Sequence, residues 1–187
     1  QETAVSKLID FESYPISPVL DRLLQDKTTK QNIIFATDAY LENGPDFAET
    51  AQITVDKLLG YMKIKIQPRV EKAAEEQLAR TRKKAEVFTP SWIVNKMNNH
   101  CDEEWFGRPN VFNTEAGTSW VTSSAPITFD RKLSWKGYVD SKRLEITCGE
   151  APYIVSRYDA ATGDIIPIKD RIGILDRKLR VVSENAA

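Results

Sequence analysis

The stretch Leu144-Glu145-Ile146-Thr147-Cys148-Gly149-Glu150-Ala151-Pro152 constrains this 187-residue chain more than any other. A short apolar run meets a glycine and then a proline, so the strand it predicts is brief and interior, and ends in a tight bend at Cys148-Gly149. Such a bend can be purely structural. It can also let a ligand approach the backbone closely, with a following helix start supplying free N–H groups and a positive dipole end. That second layout is the one used at the carboxyl edge of open α/β sheets. Beyond the bend, Tyr153 to Asp159 either continues as a helix or pairs with Ile165 to Ile168 across Ala161-Thr162-Gly163-Asp164.

Upstream of residue 100 the periodicity predicts helices. Val19, Leu20, Leu23 and Leu24 form a one-sided stripe after Pro18, and Ile33, Ile34, Thr37, Tyr40 and Leu41 form another before Asn43-Gly44-Pro45. A short helix around Val55, Leu58 and Leu59 is expected to end at Gly60 as a left-handed cap. Pro68 opens a long polar helix, PRVEKAAEEQLARTRKKAE, with a thin seam of Val70, Ala74 and Leu78. In AEVFTPSWIVNKM, Thr89 is placed to cap a helix whose first residue is Pro90, with Ile93, Val94, Met97 and Cys101 on its buried face. From about residue 108, NVFNTEAGTSWVTSSAPITF reads as loop with a hairpin. Ile172, Leu175, Leu179 and Val182 recur at helical spacing near the end.

Composition narrows the functional classes. Hydrophobic residues make up 41% of the chain, enough for a core. A net charge of -1 means that any nucleic-acid surface must be a local patch. Arg80, Arg82, Lys83 and Lys84 are such a patch; they suit the negative end of the helix they close, and alternatively DNA phosphates. With His100 the only histidine and two cysteines, the chain cannot supply a zinc site alone, and a reduced, cytoplasmic protein is expected. His100, Cys101 and Asp102 are adjacent on a helix and cannot converge on one reaction centre. Of the four tryptophans, Trp92 is the one placed near the Thr89 helix start.

Two of these segments together resemble a known pair. Phe88-Thr89-Pro90 with Ile93, Val94 and Met97 looks like the "FYTP…IV…M" segment of the amino-DNA methyltransferases. Leu144 to Tyr153 resembles their first S-adenosylmethionine motif, "DPxCGxGxF". With NIIFATDAYLENGPDF and RIGILDRKLRVVSEN, the likeness spans roughly residues 30 to 185 and is closest to the amino-terminal part of N6-adenine methylases of bacterial restriction-modification systems. The resemblance implies an α/β fold: a helical region over 1–86, then over 87–187 the opening of a Rossmann-like sheet that binds S-adenosylmethionine. Phe88, Thr89 and Pro90 would flank the methionine moiety. Glu145 would stand at the strand-end acidic position, and Thr147, Cys148 and Gly149 would form the turn around the cofactor.

Glu145 replaces the usual aspartate and Ala151 the second glycine, which raises the cost of any positive-φ backbone there. The catalytic Asn/Asp-Pro-Pro-aromatic run is absent from these residues. The resemblance therefore implies a piece of a longer protein, inactive alone, whose partners are DNA and a restriction or specificity subunit or fused domain. The alternative is a non-catalytic module that docks a partner subunit or contacts DNA backbone.

Overall fold

A computed structural model describes residues 10–61, 63–66, 88–130, 132–146 and 149–186. The chain divides into two compact units, Gln1–Pro68 and Arg69–Ala187.

In the first unit two short helices, α1 (Leu20–Leu24) and α2 (Val55–Leu59), bury one side each. Leu20 and Leu24, one turn apart, join Phe35, Phe47, Ile53, Leu58 and Ile64 in a single cluster. The helix expected over Ile33 to Leu41 is not formed. Ile33 N–H donates to Leu24 O at 2.8 Å, Ile53 N–H to Ile33 O at 2.8 Å, and Phe35 N–H to Ala51 O at 3.1 Å. Two adjacent β-branched side chains favour this extended path, and Phe35 after them is buried in the core. The α2 helix does stop at Gly60, but with φ -74 rather than a left-handed cap. Space is the reason: a β-carbon there would stand 2.3 Å from Asp56 O. The long polar helix opened by Pro68 lies outside the described residues.

The second unit is built on α3 (Ser91–Phe106), a hairpin of β1 (Asn113–Ala116) and β2 (Ser119–Thr122), α4 (Trp135–Asp140) and α5 (Ile174–Asn185). The hairpin is antiparallel, with Asn113 opposite Thr122. Phe106, Phe112, Ile127, Tyr138 and Val181 form its apolar core, with Trp105 set edge-on to Tyr138 at 5.1 Å. Tyr158 pairs with Ile165, so the segment after Pro152 turns back as a hairpin-like loop and not as a helix.

The interior strand expected at Leu144 is not present over residues 141–146, and Thr147 lies outside the described residues. Leu144 and Ile146 are exposed, at 83% and 64%. A strand needs a ladder partner, and β1–β2 is the one sheet among the described residues. At this level the fold is mixed: helices and a small antiparallel sheet. No helix among the described residues is long and apolar enough to cross a membrane.

Candidate functional site

The Phe88-Thr89-Pro90 segment enters α3, and the bend at Gly149 returns to meet it. Gly149 sits at φ +57, in the left-handed region. A β-carbon at that position would lie 3.2 Å from Phe88 Cε1 and 3.4 Å from Cζ, so the phenyl ring rests directly on the glycine. Two residues later Ala151 also takes a left-handed conformation, φ +52, in spite of its side chain. The alanine therefore holds a curled backbone path, at a steric cost of about 1–2 kcal/mol. Beside the turn lies a hollow of about 80 Å³ lined by Glu150, Pro152, Val155, Arg157, Tyr158 and Ala160.

Two carboxylates fix this region. Glu145 accepts N–H bonds from Tyr153 at 3.3 Å and Ile154 at 2.9 Å, so it braces the loop beyond the turn. Asp159 accepts from Ser91 N–H at 2.6 Å and from the N–H groups of Ala161 and Thr162 at 2.8 Å. Burial alone would raise the Asp159 carboxyl, but the N–H donors of Ser91, Thr162 and Ala161 outweigh it and hold it below its ordinary value of 3.8. Asp159 thereby does the work expected of Thr89. The residue preceding α3 is Pro90, and no side chain within that cap closes the helix start. A carboxylate 68 residues away does so instead.

Behind the helix start, α3 buries polar groups. Asn95, Asn98 and Asp102 face inward with Val94 and Phe106, whereas Met97 and Cys101, expected inside, are exposed. The partner of Asn95 and Asp102 is Arg177 of α5, itself 2% exposed. Its Nη1 donates to Asp102 Oδ2 at 2.6 Å, its Nη2 to Asn95 Oδ1 at 2.8 Å and Asn99 Oδ1 at 2.9 Å, and its Nε to Ile172 O at 3.0 Å. Tyr138 donates its hydroxyl to Asp102 Oδ1 at 3.0 Å; burial, then the Asp102 charge, pushes the phenol far above its usual range. Asn98 Nδ2 reaches Tyr153 O and Ile172 O, each at 3.0 Å, which ties α3 to the loop after the turn.

The structure thus brings together Phe88 and Gly149, with Glu145 bracing the next loop, while Trp92 sits half-buried on the first turn of α3. Thr147 and Cys148 lie outside the described residues, as do Arg80, Arg82, Lys83 and Lys84. His100 and Cys101 are exposed and Asp102 is buried, so they point apart. No group of three His, Cys, Asp or Glu side chains among the described residues could hold a metal ion. Asp159 and Arg177 were missed. The signal for Arg177 is a cation within one turn of both Ile174 and Val181, a spacing that Lys178 shares; that for its partners is Asn95, Asn98, Asn99 and Asp102 recurring on one face of α3.

No family model, curated protein or solved structure matches the chain.

Proposed function

We propose that this chain is the cofactor-facing, amino-terminal part of a DNA methyltransferase of restriction-modification type, which transfers a methyl group from S-adenosylmethionine to adenine N6. The observation that carries the reading is the contact between Phe88 and Gly149. These residues come from the two segments whose pairing the family resemblance requires, and they are far apart in sequence.

The fit to the cofactor rests on that contact. A left-handed bend exposes backbone to a ligand, and an aromatic ring beside it suits a sulfonium through its π face. The adjoining hollow of about 80 Å³ takes only a fragment of such a ligand. Ligand pockets begin at roughly 300 Å³, so the described residues supply one wall of the site. Phe88, Pro90 and Gly149 would bound the methionine end, with Thr147 and Cys148 completing the turn. Leu144 to Thr147 would become a strand of a Rossmann-like sheet once another strand lies beside it.

The bound cofactor supplies an already activated methyl group, so no metal is required of the protein. This chain's part is to hold and orient it: Asp159 and the α3 network keep Phe88 in place, and Glu145 keeps the loop after the bend from moving. DNA, and a specificity or restriction partner, belong to the whole enzyme.

Titration of the chain with S-adenosylmethionine or its demethylated product tests the reading. The melting temperature should rise with ligand, by the equivalent of about 2.7 kcal/mol at a hundredfold excess over the dissociation constant. Phe88→Ala should abolish the rise while the protein still melts cooperatively. A melting curve unmoved at millimolar ligand would refute the assignment and favour a partner- or DNA-docking module.

A further inference from the structure

We infer a second ligand site, in the cleft between the β-hairpin, the turn Ile168–Asp170 and α5, and assign it to a nucleotide phosphate. The cleft has a volume of about 410 Å³, the size of a small-molecule pocket, and none of its lining residues belongs to the Phe88–Gly149 site. Phe112, Ile168 and Leu179 give it apolar walls, and Lys169, Arg171, Arg177 and Arg180 bring four cations against one carboxylate, Asp176.

Hydrogen bonding divides those cations into two kinds. Arg177 is fully committed to Asp102, Asn95, Asn99 and the Ile172 carbonyl. Arg180 is paired with Glu184 at 2.7 Å and also donates to the carbonyls of Ser123 and Ala125, each at 2.9 Å. These two form a structural floor whose charge is already compensated. Lys169 makes no hydrogen bond or ion pair among the described residues, and Arg171 makes one weak contact, from Nε to Ile166 O at 3.5 Å. The ammonium of Lys169 and the Nη groups of Arg171 are therefore available at the cleft.

Neither nearby carboxylate forms an ion pair with Lys169 or Arg171 among the described residues. Asp170 Oδ1 accepts from the Thr122 hydroxyl at 2.9 Å, and Asp176 Oδ2 accepts from Ser156 N–H at 3.3 Å and Oγ at 3.4 Å. Two uncommitted cations on a turn that β2 anchors, through Trp120 Nε1 to Asp170 O at 2.8 Å, make a fixed anion-binding edge. Exposed Ile168 and Leu179 beside it offer apolar contact to a base or sugar. Phosphate flanked by an apolar ring is the chemistry of a nucleotide, free or within a strand.

The site stands independently of the methyl-donor reading. The test titrates the whole chain with adenosine monophosphate, inorganic phosphate and a short DNA oligonucleotide by calorimetry, in the wild type and in Lys169→Gln/Arg171→Gln. The mononucleotide should bind at least ten times tighter than phosphate. The double variant should lose at least tenfold in nucleotide affinity, with its melting temperature and its response to S-adenosylmethionine unchanged, since neither side chain supports the fold. If the oligonucleotide is the better ligand, the variant should also flatten its salt slope by about one for each lost phosphate contact, marking a strand as the source; equal affinity for nucleotide and oligonucleotide marks the free nucleotide. No binding at millimolar concentration, equal affinity for phosphate and nucleotide, or an affinity untouched in the variant would overturn the assignment. Loss of binding to S-adenosylmethionine with nucleotide binding intact would defeat the methyl-donor reading alone.

Discussion

Arg177 Nη1 stands 2.6 Å from Asp102 Oδ2 with both side chains buried, and this pair joins α5 to α3 through the middle of the second unit. Its stabilising value lies in the cost of breaking it. Removing Asp102 leaves Arg177 as an uncompensated buried charge, and removing Arg177 leaves Asp102 with Arg143, 4.0 Å away, as its remaining cation; breaking such a pair typically costs about 3–5 kcal/mol. Arg177→Met should destabilise the chain by that amount in urea unfolding, and Asp102→Asn by somewhat less, because an amide oxygen can still accept from Tyr138 and Arg177. The Arg177→Met/Asp102→Leu pair should recover part of the loss. Full additivity of the two single changes would contradict a coupled pair.

Asp159 should make the α3 start acid-sensitive. Its folded carboxyl is held below the ordinary 3.8 by the balance described above. A depressed folded value means that the stabilisation is fully present above the unfolded pKa, and is lost as pH falls from there through the folded value. Asp159→Asn should therefore be less stable than the wild type at pH 7 by about 1–2 kcal/mol, in the range of a lost helix cap. The difference should shrink steadily below about pH 4. Unfolding curves at a series of pH values read this directly; a gap that stays constant down to pH 2 would exclude the linkage.

Ala151 is a left-handed residue with a β-carbon, φ +52, and it is exposed. Glycine relieves that strain, while its greater freedom in the unfolded chain offsets part of the gain. Ala151→Gly should raise stability by about 0.5–1 kcal/mol, measured as a shift in denaturant midpoint with unchanged slope. A lower midpoint would mean that alanine is not strained there.

Gly149 and Phe88 are expected to be energetically coupled. A methyl group at 149 would press on the ring at 3.2 Å in addition to its left-handed strain. Gly149→Ala should cost about 1–3 kcal/mol, and the cost should fall when Phe88 is replaced by Leu, since a smaller side chain yields the space. A double-mutant cycle with no interaction energy would place the ring elsewhere.

How much of this was legible beforehand varies with what each residue answers to. The helix after Pro90 and the last helix were legible because proline and apolar spacing are local signals, and the bend at Gly149 because glycine advertises it. The orientation of those helices was not. Apolar periodicity put Met97 and Cys101 inside α3 and Leu175 and Leu179 inside α5, whereas the facing surfaces carry Asn95, Asn98, Asp102 and Arg177. Burial of a polar face is favourable only when its partners arrive from elsewhere, and nothing local to α3 announces Arg177 or Asn113. Ile33 and Ile34 mislead in the opposite way: their spacing suits a helix, but Ile33 bonds Leu24 and Ile53, and Ile34 pairs with Gln52, through backbone in an extended path. The Asp159 cap is likewise a long-range contact that no window of sequence around Thr89 contains.

The amide-rich seam of α3 also sets how far that helix can drift. Greasy surfaces forgive a slide or a roll, because one methyl group replaces another. Here each carboxamide is matched to named partners, Asn95 to Asn113 and Arg177 and Asn98 to two carbonyls, and a displacement of one turn would unmake every match at once. The rod is thus keyed in both rotation and translation, and the phenyl ring just ahead of it inherits a position set by side chains as far along as Asp102.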